Sequence, residues 1–333
     1  MKHLIYILAL LLTNLTFGQT TELTEPEIEK YVKTIDQLKN ENKLVKISYP
    51  NMSACGGGLH GYYLNKNLVL IDATYGAELG FSSREFYIDQ DKFLKIIYRE
   101  YIPEWEKYEL NYPADKYEYD PSKMTYTDTI YSIILANPTV FRKKADKKTV
   151  STKVNQKLID NLVACGQKMT LELQEVIRQV DSLRFVEEMP YISKTGLSGD
   201  NLFWEVVRLG NSGIELLIDY LDDTTSTSAP VLFFGYNYMV ADIAFAALTE
   251  IIHEIPTFEL LGVPFDENGC GYCSYWQHLN ENFTNRQKFK VAVREWYHKN
   301  KDNLIWVESN SFATCDCSGK HPNGGHYKLK ADR

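Results

Sequence analysis

Between residues 44 and 141 the chain passes through a run of short β-branched and aromatic segments: "LVKISYP", "GLHGYYLN", "NLVLIDATYG", "REFYID" and "FLKIIYREYI". Turn residues such as Asn65-Lys66-Asn67 and Asp89-Gln90-Asp91 separate them. Strands joined by turns this short pair as antiparallel neighbours, because a parallel pair needs a crossover of about a dozen residues or more. The segment therefore predicts an antiparallel β-meander. Many of the 23 tyrosines sit in alternating stretches, which suits half-buried strands. A Tyr-rich, acidic insertion follows at about 105–125, with Pro113 and Pro121, and "TDTIYSIILA" then returns to the sheet.

The segments on either side change period. Residues 24–41 read as a helix: Thr24 and Glu27 make a capping box, Pro26 sits in the first turn, and Tyr31, Ile35 and Leu38 form one stripe. Residues 152–187 read as a long helix, because Leu162, Gly166, Met169, Leu173, Val176, Val180 and Leu183 recur at steps of four and three. Pro190 and the Gly196–Gly199 stretch mark a boundary. Beyond it the pattern is helical: "DNLFWEVVRLG", "SGIELLIDYLDD", "YMVADIAFAALTEIIHEI", "SYWQHLNENF" and "TNRQKFKVAVREWYHKN". Thr284 and Gln287 offer a second capping box, and "TTSTSAPVLFFGYN" reads as a loop. The fold class expected is α+β: an N-terminal helix and meander with a long helix, then an all-α part.

The first 18 residues have the pattern of a secretory leader. Lys2 and His3 precede the apolar run Leu4–Leu12, and Thr16 and Gly18 are small residues ahead of a cut before Gln19. That run is shorter than the roughly 20 residues needed to span a bilayer. The expected division is 1–18 leader, 19–190 meander domain, 191–309 helical domain and 310–333 a Cys/His/Gly-rich tail. The expected location is secreted or periplasmic, with no transmembrane segment after cleavage. The formal charge of −8 argues against general nucleic-acid binding, which needs a clustered positive field. The run Arg142–Lys148 reads as a solvated loop leading into the long helix.

Within residues 200–255, "LGNSGIELLIDYLDD" followed by "VADIAFAALTEII" resembles a HEAT-type helical repeat. The match is a Gly-bounded helix, an amphipathic helix ending in Leu-Asp-Asp, and an Ala-rich helix opening with an aspartate. About one and a half units are visible, where a solenoid needs at least three. The resemblance therefore implies a short HEAT-like module capped by something else, acting as an interaction scaffold, with no catalytic residues to carry over. The N-terminal part weakly resembles β-meander domains of secreted bacterial proteins of unknown function.

The six cysteines are Cys55, Cys165, Cys270, Cys273, Cys315 and Cys317. An even number in an exported chain favours disulfides over metal. A bridge inside Cys315-Asp316-Cys317 reads as strained, so the preferred pattern joins Cys270 and Cys273 to Cys315 and Cys317. Cys55 and Cys165 are then left to pair or stay free. A zinc site from the same four thiolates is the rival, with His321 and His326 of "HPNGGH" as alternative ligands. A redox pair at Cys270 and Cys273 is a third reading; "CGYC" superficially resembles the thioredoxin frame, but a βαβ setting is missing.

The other candidates carry less. His253 of "EIIHEIP" lacks a second histidine at zinc-protease spacing and reads as a helix-end residue. His278 and His298 read as rim or surface, and His321 and His326 as parts of a solvent-exposed tail unless the tail forms a metal or ligand loop. "ACGGGLHG" lacks the Gly-Lys-Ser/Thr ending of a phosphate loop. The leading expectation is a secreted, non-catalytic protein that binds a protein or an envelope component, with no cofactor unless zinc. The alternatives are a zinc- or redox-dependent enzyme centred on the C-terminal cysteines, and an exported immunity or inhibitor protein.

Overall fold

The computed structural model describes residues 23–49, 57–77, 80–104, 124–136, 139–144, 149–152, 155–190, 197–231, 235–265, 267 and 272–330. The expected leader, Cys55, Cys270 and most of the 105–125 insertion lie outside the described residues.

Eight strands form one antiparallel sheet in chain order. They are β1 (Val45–Tyr49), β2 (Gly57–Leu64), β3 (Asn67–Ala77), β4 (Gly80–Asp89), β5 (Lys92–Pro103), β6 (Tyr126–Ile134), β7 (Thr139–Lys144) and β8 (Thr149–Thr152). The α+β class and the meander are as the sequence implied. The basic run is a correction: Arg142–Lys144 end β7, where Arg142 and Lys143 pair with β8 and Lys144 with β6, instead of forming a loop; residues 145–148 lie outside the described residues. Positive charge and β-branching coexist there, and the charge pattern hid the strands.

Alternation of side chains gives the sheet two apolar faces. Across six strands, the partners Ile47, Gly61, Ile71, Phe86, Ile96 and Ile133 lie in one row. Helix α2 (Gln156–Asp181) packs on that face, and every seam residue from Leu162 to Val180 that the spacing singles out is buried. Two glycines make the fit. A Cβ on Gly61 would lie 2.8 Å from Leu173, and one on Gly166 would lie 2.9 Å from Phe86 and Phe93. Helix α1 (Glu25–Asn40) covers the opposite face with Ile28, Val32 and Ile35 against Tyr62, Leu70, Tyr87 and Ile134. Its first turn is capped as expected: Glu27 accepts from the Thr24 N–H at 2.8 Å and from its hydroxyl at 2.7 Å.

The second half stacks on the α2 side. It contains α3 (Asn201–Val207), α4 (Ile214–Asp219), α5 (Val240–Ile251), α6 (Thr257–Leu261), α7 (Cys273–Glu281) and α8 (Phe283–Asn300). One contiguous core runs from the sheet through these helices, from Ile47 and Phe86 to Trp204, Leu248 and Val293. Part of the expected 224–237 loop instead forms strand β9 (Ser226–Pro230), which pairs with β10 (Asn237–Met239). Helix α8 starts two residues earlier than the Thr284/Gln287 box implied, because Asn282 is the N-cap and its side chain accepts from Asn285 N–H at 3.0 Å. The C-terminal tail is also structured: β11 (Leu304–Glu308) pairs with β12 (Gly325–Leu329). Among the described residues, no helix is long and apolar enough to cross a membrane.

Candidate functional site

Helix α5 is apolar on nearly every side, and ten of its twelve residues are buried. Only three of its side chains are acidic or hydroxylic. Two of these, Asp242 in the first turn and Glu250 in the last, are themselves buried. Buried charge must be matched by partners, so these two positions show what the helix is built to hold.

At the first turn, Asp242 Oδ2 accepts from the Met239 N–H at 3.0 Å and Oδ1 from Arg286 of α8 at 2.9 Å. Arg286 also donates to Asn280 Oδ1 at 2.9 Å. Burial pushes the Asp242 carboxyl above its ordinary value, and the guanidinium opposes that shift.

At the last turn, Glu250 binds the tail. Its Oε1 accepts from the Thr314 N–H at 2.7 Å, from the Thr314 hydroxyl, and from the Ala313 N–H at 3.1 Å. Its Oε2 lies 3.0 Å from Ala313 N, 3.3 Å from His321 Nε2 and 3.9 Å from His253 Nε2. Burial alone would raise this carboxyl. The bonds from His321, Thr314 and Ala313 outweigh burial and hold it below the usual carboxylate range.

The spacing Glu250-x-x-His253 puts both side chains on the same side of the helix end. The tail then supplies two more rings. The His253 N–H donates to Tyr327 O of β12 at 2.9 Å, which fixes β12 beside the helix end. His326, the neighbour of Tyr327, stacks on His253 with ring centroids 3.5 Å apart and planes 7° from parallel. Burial, with His326 alongside, brings the His253 imidazole down to about 4, so the ring is neutral at pH 7. Burial, with His321 next in effect, also lowers His326. Glu250, His253 and His321 each present one ligating atom, all within 4.8 Å of one another. His253 Nε2 and His326 Nδ1 are buried without a hydrogen-bond partner.

These positions correct the solvent-exposed tail. His321 is 2% exposed and His326 is 7% exposed. The tail is held by Asn323 Nδ2 donating to Val207 O at 2.7 Å, by Phe312 packed edge-on to Trp204, and by the Glu250 clamp. His253 does lie just past the helix end, but it is turned inward. Glu250 was not singled out from the sequence at all. The signal available was an acidic residue on the apolar face of a helix, three positions before a histidine.

The cysteines are also rearranged. Cys315 and Cys317 are bonded to each other, with S–S 1.98 Å and Cα atoms 5.2 Å apart. A bent tripeptide brings the two Cα atoms within the usual disulfide span of about 4.4–6.8 Å. The expected pairing of the 270s with the 310s is therefore not formed, and Cys315 and Cys317 are not available together as thiolate ligands. Cys273 is disulfide-bonded as well. Cys165 is free, with its sulfur 3.8 Å from Arg84 Nη1.

Beside the cluster lies a cavity of about 550 Å³. It is lined by His253, Ala313 and Thr314 and by the rings of Tyr238, Phe245, Tyr272, Tyr275 and Trp276. Edge-to-face contacts hold those rings: Tyr238 to Trp276 at 5.4 Å, Tyr275 to Trp276 at 5.2 Å and Tyr272 to Tyr275 at 5.9 Å. At the surface nearby, Tyr236, Phe265 and Tyr272 are 38%, 47% and 50% exposed. His278 and His298 stand apart from this cavity; His298 Nε2 meets Glu215 at 3.1 Å. No protein-family model, no curated protein and no solved structure matches this chain.

Proposed function

We propose that the protein is an extracytoplasmic binding protein whose aromatic cavity receives an apolar side chain from a partner polypeptide. The observation that carries this reading is the cavity between α5, α7 and the 313–314 turn, walled by Phe245, Tyr275 and Trp276 and bordered by exposed Phe265 and Tyr272. Aromatic side chains that combine a buried body with an exposed edge are enriched at the centres of protein interfaces. Polar groups line it among the rings: Asp242, Thr249, His253, Glu254, Thr257 and Thr314. Such a site orients a ligand by a few hydrogen bonds and holds it by burial. The leader-like first 18 residues and the Cys315–Cys317 bond favour an oxidising compartment. The HEAT-like reading of residues 200–255 points the same way, toward a scaffold for interaction.

The test is to recover partners with the mature protein from envelope and secreted fractions, in parallel with a Trp276→Ala variant. Removing a central aromatic anchor should cost about 2 kcal/mol or more of binding, roughly thirtyfold in Kd. A partner held equally well by the variant sinks the assignment of this cavity.

A further inference from the structure

We infer that Glu250, His253 and His321 form a binding site for one divalent transition-metal ion of the zinc class, which locks the C-terminal tail onto the end of helix α5. The site is separate from the aromatic cavity's own role and shares only His253 with it.

Three observations carry the inference. The first is the donor set. Two imidazoles and one carboxylate suit zinc and its neighbours, whereas calcium and magnesium prefer oxygen ligands alone. The second is spacing. Ligands about 2.05 Å from a tetrahedral ion lie about 3.3 Å from one another. Glu250 Oε2 is already 3.3 Å from His321 Nε2 and 3.9 Å from His253 Nε2. All three ligating atoms already lie within 4.8 Å of one another, so drawing them onto one ion shortens no pair by more than about 1.5 Å. The third is unmet demand. His253 Nε2 is buried with no hydrogen-bond partner, although it lies just past the helix end beside a buried carboxylate. A buried nitrogen left without a partner costs about 1–3 kcal/mol unless something satisfies it. An ion does that directly.

The surroundings hold the carboxylate in the required orientation. Thr314 holds Oε1 through its backbone N–H and its hydroxyl, and the Ala313 N–H is shared between Oε1 and Oε2, which fixes the carboxylate with Oε2 toward the rings. Hydrogen bonds of this kind to a ligating group typically contribute tenfold to a hundredfold in metal affinity. Ligation by His321 Nε2 puts that ring's proton on Nδ1 and gives up the 3.3 Å contact from Asn323 N–H, so one proton leaves the Nε2–Glu250 contact and one weak bond is exchanged for a coordinate bond. Three protein ligands leave one tetrahedral position for water.

The test uses the purified protein with its disulfides intact, stripped with a chelator and titrated with Zn²⁺ or Co²⁺ alone. One ion per chain is expected, and His253→Gln and His321→Gln should each weaken it at least tenfold. His278→Gln, on α7 away from the site, should leave it unchanged. Circular dichroism reports whether each variant folds. Should a variant not fold, the Co²⁺ spectrum of the unaltered protein decides: visible d–d bands without a strong near-ultraviolet thiolate band support the site. A thiolate band, no stoichiometric ion, or binding indifferent to both histidine variants overturns it.

Discussion

Glu250 Oε2 and His321 Nε2, 71 positions apart in sequence, meet at 3.3 Å. The contact sits at 0% side-chain exposure on both sides. It joins the last turn of the apolar helix α5 to the polar, glycine-rich C-terminal tail. The tail is thus fastened by polar contacts made inside the protein, because its own apolar content is small.

That contact makes Glu250 of α5 the main anchor of the tail. Glu250→Ala leaves the N–H groups of Ala313 and Thr314 and the His321 ring without an acceptor inside the protein. The expected loss is about 3–5 kcal/mol, the range for breaking a buried charged network. Urea denaturation measures it, and limited proteolysis should show cleavage within 309–324 before the helices are attacked. Unchanged stability would mean that the tail is held by something else.

The buried pair at the other end of α5 allows a sharper comparison. Asp242→Ala strands the Arg286 guanidinium at 2% exposure and should cost about 3–5 kcal/mol. Replacing both partners with apolar residues of similar volume, Asp242→Leu with Arg286→Met, should recover most of that loss. A double variant as unstable as the single one would show that the pair's remaining bonds, to Met239 N and Asn280, matter more than its charge.

The disulfide gives a mapping prediction. A non-reduced digest should place Cys315 and Cys317 in one internally bonded peptide. A crosslink from either residue to Cys270 or Cys273 would contradict the structure. A three-residue loop constrains little chain entropy, so Cys315→Ser with Cys317→Ser should lower stability by only about 1–2 kcal/mol.

Stability should fall on mild acidification. Burial, with Lys46 nearby, lowers the His60 imidazole to about 4, while an unfolded histidine titrates near 6.5. The unfolded chain therefore takes up this proton first, and its share of stability is full above about pH 6.5 and declines as pH drops toward 4. His253, also at about 4, has the same sign. Asp219 is held below the usual carboxylate value because Lys290 and Arg294 outweigh its burial, so it adds a further loss as pH falls through the acid range. Thermal unfolding between pH 8 and 4 measures the sum. A melting temperature that rises on acidification would contradict these assignments.

The sheet packing rests on absent side chains as much as present ones. A Cβ at Gly325 would come within 2.2 Å of Val307 O, a backbone atom that a rotamer change cannot move. Gly325→Ala should disrupt the β11–β12 pairing, release His326 from His253, and leave the meander intact. Hydrogen exchange should show new opening confined to 304–330. Exchange that stays slow there would mean that the strands absorb the methyl group.

What could be read from the sequence was whatever a local period or a local cap enforces. The seam from Leu162 to Val180 can face only one way on a helix, and Gly166 within it marks the close approach to Phe86. Short aromatic segments with two- and three-residue turns can close only as antiparallel neighbours. The Thr24–Glu27 box fixes where α1 starts. Strands β7 to β12 were less legible, because their segments are short, charged or glycine-rich, and their pairing depends on partners supplied by the fold. Only the tertiary structure brought Glu250 to His321 and stacked His253 on His326, since these contacts join residues more than seventy positions apart. The same holds for the sulfurs. Sequence lists six cysteines, but the bend that puts Cys315 against Cys317 is set where the surrounding tail folds back onto α5. Local rules determined the elements; burial of a few polar groups against distant partners decided where the candidate site lies.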